Sequence, residues 1–546
     1  MRFDDILVNH LGQFGRYQAI QYVLVGLPTI FTALHSLSWS FTGAKVKHRC
    51  LYPGENDTAL YAPGDQWHKD IANLTNDKAG CLRIANISLD QYPTGLHFNK
   101  EPCLDGYAWD HSEMVLSAVG RWSLVCGSEV IRPVVQCMYY IGQFFGSLIF
   151  GILSDKIGRR PVFIIAIILQ IACGAGMAIV PWWPLFAILR IGVGFAHPGI
   201  FVMAVVIGAE LVGPKYRVLS SVGAGLFFAV GEMILGALAY PIRDYRYLQL
   251  TISAPALIFL SYWFLVPESA RWLISRGRFQ EADRNLRRVA KFNGRDPLPD
   301  NWYDHMEKEP TKPHLSAGQA LSALFRTPNL RKRTLITFFI WPVVSMCFYG
   351  LAINPAFMGG DNRLGFIIGG AMEIPGLAVV LFGLNFIGRK FLICGGFLLS
   401  ALCLLVTLAI PADAAVASLL LVTIGKSALT AVYATVYIMT PEHYPTMMRN
   451  TATGACSMIA RAGGVAASFM SLYLADKYPQ IVAITFAVLC LLAGLSSLIL
   501  PETTAEPLLE TVEEAEQFGK DQPIFISGYQ NQRRVAERQN QIIEKE

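Results

Sequence analysis

The chain has 546 residues, of which 53% are hydrophobic and only 16% charged, with a formal charge of +5 and a mean hydropathy of +0.40. An ordinary soluble domain carries about 25% charge, so these values exclude a soluble globular chain, a disordered one and a nucleic-acid binder. A membrane helix takes about 20 apolar residues, and roughly half of this chain supplies about a dozen such helices. Residues 1–19 contain Asp4, Asp5, His10 and Arg16 and lack the apolar core of a cleaved leader, which predicts a retained cytoplasmic N terminus. Six apolar spans follow: Ile20–Phe41, Pro133–Leu153, Pro161–Val180, Pro184–Ile207, Leu219–Tyr240 and Leu248–Val266. Six more run Leu335–Ile353, Leu364–Phe386, Phe391–Ile410, Ala415–Met439, Thr451–Leu474 and Ile481–Leu500. An even number of spans places both termini on one side.

Two hydrophilic segments interrupt the spans. Residues 43–132 hold Cys50, Cys81, Cys103 and Cys126, with glycosylation sequons at Asn56, Asn73 and Asn86. Four cysteines beside three sequons point to an oxidising, extracellular side, and to two disulfides in any of three connectivities. The other seven cysteines lie in apolar spans and read as small packing residues. Residues 267–333 carry fourteen Lys/Arg against eight Asp/Glu. Short basic turns also follow span two (Lys156, Arg159, Arg160) and span eight (Arg389, Lys390). The positive-inside rule puts that side in the cytoplasm, in agreement with the sequons.

Three charged marks occur twice in order. Gly158-Arg159-Arg160 answers to Gly388-Arg389-Lys390, Glu210 with Arg217 to Glu442 with Arg449, and Pro267-Glu268-Ser269 to Pro501-Glu502-Thr503. Their offsets are 230, 232 and 234 residues. This near-constant spacing predicts an all-α membrane protein of twelve helices in two pseudo-symmetric six-helix halves, an arrangement found in transporters. The expected divisions are 20–266 for the first half, 267–333 for a cytoplasmic linker, 334–500 for the second half and 501–546 for a flexible cytoplasmic tail.

The segment Gly151 to Arg160 matches the loop signature of the major facilitator superfamily, and Arg190-Ile-Gly-Val-Gly194 resembles a second one. Within that superfamily, four features are specific: Trp122-Ser-Leu-Val-Cys126, Pro267-Glu-Ser-Ala-Arg-Trp-Leu273, Glu442-His-Tyr-Pro-Thr-Met-Met-Arg-Asn450, and the opening Asp4-Asp5 with Leu11-Gly-Gln-Phe-Gly15. The chain resembles the organic cation, carnitine and organic anion transporter family from end to end, nearest its insect-type organic cation transporter-like members. The resemblance implies the major facilitator fold, a disulfide-bonded extracellular loop, no cofactor and no enzymatic activity. It implies alternating-access transport of a small organic ion across the plasma membrane by a monomer, with sodium or a proton as the candidate coupling ion. It also assigns Asp155, Arg159, Arg160, Glu210, Arg217, Glu268, Arg271, Glu442 and Arg449 to a gating latch. Asp155 and the glutamates argue for that role over simple topology, since acids add nothing to the positive-inside signal.

An ionisable group at membrane depth costs at least about 2.5 kcal/mol and is a functional candidate by default. Glu232, Glu373, Lys426 and Arg461 lie well inside the spans, two acids and two bases, so complete pairing is open to them. The family pattern pairs Glu373 with Lys426. It places an aspartate at the Arg461 position in cation carriers and an arginine in carnitine and anion carriers. A guanidinium offers a planar fork to a carboxylate. No second base follows Pro375, unlike many anion carriers, so an acid and a base in one site suit a zwitterion such as carnitine. Glu232 lies outside the family pattern. It is a candidate second anchor for an amine, which would leave Arg461 neutralised internally and favour an amine conjugate such as carcinine. Trp341, Tyr349, Tyr433, Tyr437, His35 and Trp39 are candidate path-lining groups, since cations sit well on aromatic faces. His35 and His197 are candidate proton sites, since an unperturbed histidine titrates near neutral pH, though a hydrogen-bonded structural histidine fits either. The alternatives are an organic anion carrier using Arg461 and, in a different class, a receptor or channel. There is no nucleotide-binding loop, His-Glu-x-x-His metal motif or Gly-x-Ser-x-Gly elbow.

Overall fold

The computed structural model describes residues 3–543 except 53–54, 57–58, 63–65, 76, 78, 86–98, 297, 300–301, 306–316, 412 and 521. Twelve of its helices are long and apolar enough to cross a membrane. In the first half these are α1 (Arg16–Thr42), α2 (Cys126–Ile157), α3 (Arg159–Gly176), α4 (Trp183–Leu211), α5 (Arg217–Leu238) and α6 (Tyr245–Leu265). In the second half they are α7 (Pro328–Ile353), α8 (Asn362–Ile387), α9 (Arg389–Thr407), α10 (Ala415–Glu442), α11 (Arg449–Lys477) and α12 (Pro479–Ser497). Each overlaps one apolar stretch read from the sequence, although the stretches ending at Val180, Tyr240, Val266, Ile410 and Leu500 run past the ends of their helices at Gly176, Leu238, Leu265, Thr407 and Ser497. The helices run longer at the charged end because residues such as Arg16, Arg217 and Arg449 begin them there. Gly158 and Gly388, at φ +108° and +93°, form the tight turns between α2 and α3 and between α8 and α9.

Small residues let helices approach where lipid supplies no hydrophobic drive. A Cβ on Gly142 or Gly146 of α2 would lie 2.1–2.2 Å from carbonyl oxygens of α4, and one on Gly194 would lie 2.0 Å from the Tyr139 carbonyl oxygen. The α2–α4 pair is therefore close-packed backbone to backbone. Gly463 of α11 meets the Pro342 carbonyl oxygen of α7 in the same way, at 2.2 Å. The halves join along two seams, α5 against α8 and α2 against α11.

The hydrophilic loop after α1 forms a small head. Strand β1 (His48–Cys50) pairs antiparallel with Tyr107–Trp109, and β2 (Leu82–Ile84) with Lys100–Pro102. Disulfides join Cys50 to Cys103 and Cys81 to Cys126, which selects one of the three open connectivities. Asn56 and Asn73 are exposed, and Asn86 lies outside the described residues. The head rests on both halves: Arg243 donates to the Ser112 carbonyl at 3.2 Å and Arg363 to the Glu113 carbonyl at 2.8 Å.

At the opposite end, helices Ala270–Ser275 and Phe279–Asn293 cover the first half, where Leu286 and Val289 pack with Phe3, Ile6, Leu7 and Leu11 of the N-terminal segment. The tail is not the flexible end expected from its charge. It forms helices Val512–Gln517 and Gly528–Ile543 and folds back on the second half. Buried polar contacts hold it: Asn531, fully buried, donates to the Thr504 carbonyl at 2.8 Å, and Gln522 donates to the Glu502 carbonyl at 3.0 Å.

Candidate functional site

The centre of the bundle contains an ion triad that crosses the two halves. Lys426 of α10 is fully buried and its ammonium donates to Glu232 of α5. The same nitrogen lies 2.9 Å from Oε1 of Glu373 on α8. Both carboxyls are buried as well, at 0% and 2% side-chain exposure, so water contributes nothing to their balance. Gly369 of α8 makes the room: a Cβ there would lie 3.0 Å from Glu232 Oε1 and 3.3 Å from Lys426 Nζ. The even pairing of two acids with two bases is thus corrected, because both acids converge on Lys426. Glu232 faces α8 and α10, where α5 packs, and not α11.

Arg461 of α11 is left with no carboxylate within 4.0 Å among the described residues. It is not neutralised internally, contrary to the reading in which Glu232 released an amine site by leaving Arg461 paired. Its side chain is buried, its Nη2 lies 3.4 Å from Ser457 Oγ, and its Nε has no hydrogen-bond partner. The charge is surrounded by tyrosines: Tyr437, Tyr433, Tyr349 and Tyr139. An exposed ion pair contributes little, but a buried guanidinium without a counter-charge is costly, and a ligand carboxylate would complete it.

An aromatic wall connects the two charged groups. Trp341 meets Tyr437 at 4.5 Å between ring centroids, and Tyr437 meets Tyr433 at 5.5 Å. Phe348 stacks on Tyr433 at 5.6 Å and lies 5.7 Å from the Lys426 ammonium. Tyr349 reaches across to Tyr140 of α2 at 5.3 Å. The hydroxyls of Tyr140 and Tyr433, both amide atoms of Gln143 and the Ser345 hydroxyl are buried without partners. Buried polar atoms are normally satisfied, so this convergence has the character of a site awaiting a polar ligand.

Trp341, Tyr349, Tyr433, Tyr437, Arg461 and the triad therefore come together, whereas His35 does not join them. It is held inside the first half, with its ring nitrogens 3.3 Å from Gln249 and 3.4 Å from Ser253. Trp39 donates to the Arg132 carbonyl and packs on Phe186. His197 is bonded through Nδ1 to the Tyr139 hydroxyl at 2.7 Å. Tyr139, Tyr140, Gln143 and Phe348 are additions that the sequence reading lacks. The signal for three of them was present, since Gln136, Tyr139, Tyr140 and Gln143 recur at helical spacing on one face of α2. Arg190 is a fifth in-span charge that the sequence count omits. Fully buried, it donates to Gln136 Oε1 at 2.6 Å and Ser38 Oγ at 3.2 Å, with Trp39 and Tyr139 rings beside it.

The charged marks at the termini end form two matching clusters, one in each half. Arg159 pairs with Asp155 at 2.9 Å and Glu210 at 3.3 Å, while Glu268 accepts from the backbone N–H of Arg159 at 3.0 Å and of Arg160 at 3.3 Å. Burial pushes the Glu268 carboxyl up, against the pull of those N–H groups. In the second half Arg389 pairs with Glu442 at 3.3 Å, and Glu502 accepts from the backbone N–H of Arg389 and Lys390, each at 3.0 Å. Arg160 lies over Trp263, and Arg449 donates to the Pro441 carbonyl. Arg217 and Arg271 share Asp4 of the N-terminal segment, at 2.5 and 2.8 Å.

All of these contacts stay within one half. Apart from the central triad, the ion pairs and hydrogen bonds between the halves lie at the loop end instead. Ser40 donates to the Ile353 carbonyl at 2.6 Å, Arg132 pairs with Asp476 at 3.0 Å, Lys477 with Glu129 at 3.1 Å, and Tyr240 bonds Asp361 at 3.0 Å. Among the described residues no ion pair or hydrogen bond joins the halves at the termini end. The structure is thus sealed on the side of the disulfide-bonded head. His48 lies within 4.8 Å of the sulfurs of Cys81 and Cys126, but their disulfide removes both as metal ligands.

A family profile described as "Sugar (and other) transporter" matches residues 91–515. The chain is 37% identical over 530 residues to the "Organic cation transporter protein" of Drosophila melanogaster, covering 95% of both chains. It is 36% identical to the fly's "Organic cation transporter-like protein", over 95% of this chain and 93% of the relative. It is also 31% identical to "Organic anion transporter 3" of Homo sapiens, over 95% and 94%. The partially occluded inward-open xylose transporter XylE from E. coli superposes with a TM-score of 0.59 over 90% of this chain and all of that one, at 17% identity. That likeness carries the fold. Together with two repeated six-helix halves and a charged, aromatic centre, these matches identify the chain as a non-enzymatic multi-pass transporter of small organic ions, belonging to the organic cation and organic anion transporter family of the major facilitator superfamily.

Proposed function

We propose that the chain carries small organic cations or zwitterions, of the carnitine-like or carcinine-like kind, by alternating access across the plasma membrane. One observation carries this reading: Arg461 is buried without a carboxylate partner, while the other end of the same aromatic wall holds two acids for one lysine. A ligand carboxylate fits the guanidinium fork. A ligand ammonium fits the aromatic faces of Phe348 and Tyr433 on the acidic side. The unpaired Arg461 also supports a second reading, an organic anion carrier that uses the arginine alone.

In this proposal the disulfide-bonded head is extracellular and glycosylated at Asn56 and Asn73, and both termini are cytoplasmic. The head-side contacts then form the outer seal. The Arg159–Glu210–Glu268 and Arg389–Glu442–Glu502 clusters exchange partners across the halves when the inner side closes, with Asp155, Arg160, Arg217, Arg271 and Arg449 alongside. The test is uptake into cells expressing the full chain, with carnitine, carcinine, β-alanine, tetraethylammonium and para-aminohippurate compared. Arg461→Ala is expected to abolish uptake of carboxylate-bearing substrates and spare tetraethylammonium. Equal loss of both would make Arg461 a structural arginine and refute the reading. Uptake of para-aminohippurate with none of the amines would select the anion carrier.

A further inference from the structure

The triad of Glu232, Glu373 and Lys426 has an unbalanced charge count. Two carboxylates against one ammonium leave one negative charge in a region with 0–2% side-chain exposure, where an uncompensated ion is costly. Three details show how the imbalance is met. The carboxyls of Glu232 and Glu373 converge from α5 and α8 on the one Lys426 ammonium, so a single positive charge serves both. Glu232 Oε2 is buried with no hydrogen-bond partner of its own. Gly369, without a side chain, lets the Glu232–Lys426 contact lie directly against the α8 backbone.

Among the described residues no other charged group pairs with the two carboxyls. Lys426 and Glu373 are the charged groups that act on Glu232. From α1, Tyr22 donates to the Leu219 carbonyl and His35 is held by Gln249 and Ser253. From α4, His197 is bonded to Tyr139, and Arg190 to Gln136 and Ser38. Arg461 is on α11, among the tyrosines.

We propose that the Glu232–Glu373 pair is a proton site: it holds one proton when the centre is empty and releases it when an organic cation binds. Charge balances at each step. The empty triad has two carboxyls, one ammonium and one proton and is neutral. The loaded triad has two carboxylates, one ammonium and one ligand cation and is neutral again, the proton having left to water. Transport of a cation in one direction is then coupled to a proton in the other. Proton and cation compete, so the apparent cation affinity rises by up to about tenfold per pH unit while the site is protonated. The proposal deepens the reading of the centre as an organic-cation site, and its test does not depend on Arg461.

The test is infrared spectroscopy of the purified full-length protein, which reads the carbonyl stretch of a protonated, buried carboxyl. The wild type without ligand is expected to show one such band near neutral pH. Glu232→Gln and Glu373→Gln should each lose it, because either change leaves one carboxylate for one ammonium. Lys426→Met should roughly double it. Folding of each variant is checked by monodispersity on size exclusion. In proteoliposomes, an interior more acidic than the exterior should accelerate wild-type tetraethylammonium entry several-fold, and Glu232→Gln should lose that dependence. A wild type without the band, a band that survives both glutamine variants, or a cation flux equal with and without the pH gradient would overturn the proposal. Failure of the Arg461 test alone would leave the band and the gradient response intact.

Discussion

Replacing Lys426 with Met removes the one positive charge that two buried carboxyls share across the halves. Breaking a buried ion pair by deleting one partner costs about 3–5 kcal/mol, because the remaining charge is stranded. Here the loss of the ammonium strands a carboxylate beside a second carboxyl, and the side-chain volume changes little. Protonating that carboxylate is the cheapest relief, so the loss of stability should be larger at pH 8 than at pH 6. The triple variant Lys426→Met, Glu232→Gln, Glu373→Gln removes all three charges and should recover most of the loss, since replacing a whole buried network by neutral groups of similar shape is close to neutral. Thermal melting of the purified full-length proteins in detergent reads both effects as an order of midpoints: wild type and triple variant together, single variant well below. A single variant within about 1 kcal/mol of wild type would show that the contact carries no such charge balance. A triple variant as unstable as the single one would show that Lys426 acts through packing.

Other expectations follow from specific contacts. His443 is buried between the Met439 and Pro501 carbonyls, and burial, aided by Arg333, holds its ring down to about 3. The unfolded chain protonates it near 6.5, so its contribution is complete above that pH and fades as pH falls toward 3. The loss is about 2 kcal/mol at pH 5, and His443→Asn should flatten the acid limb of the melting curve. Opening the Cys81–Cys126 disulfide, which closes a loop of 45 residues' separation, should cost the head about 4 kcal/mol, seen as faster proteolysis of residues 43–132 with the helices intact. Gly146→Leu should collapse the α2–α4 contact, since even a Cβ meets the Phe195 carbonyl oxygen at 2.2 Å; recovery of a monodisperse protein would contradict that packing. Asp4→Asn should lower uptake without loss of surface expression, because Arg217 and Arg271 lose their shared carboxylate.

The twelve helices were legible because hydropathy is a local property, and the repeat of Gly158, Glu210 and Glu268 at Gly388, Glu442 and Glu502 revealed the two halves. Those same residues occupy matching places in the structure, since each cluster is built within one half from chain-local turns. The pairing of Glu232 with Lys426 was not legible. It depends on how α5 of one half meets α8 and α10 of the other, which no pattern in either helix records. Arg190 was missed for a different reason: its partners are an amide, a hydroxyl and carbonyls, so no acid in the sequence pointed to it. The folded tail was hidden by its net negative charge, although Asn531 and Gln522 bind backbone groups and need no counter-charge.

The central claim is that the chain moves a small organic ion through a site exposed to one side at a time. Counterflow in proteoliposomes holding the full-length protein tests it most directly. Vesicles preloaded with unlabelled tetraethylammonium or carnitine should take up the labelled compound saturably and transiently above its equilibrium level, because a loaded site returns faster than an empty one. A flux that rises linearly with concentration and is indifferent to what the vesicles contain would contradict the account.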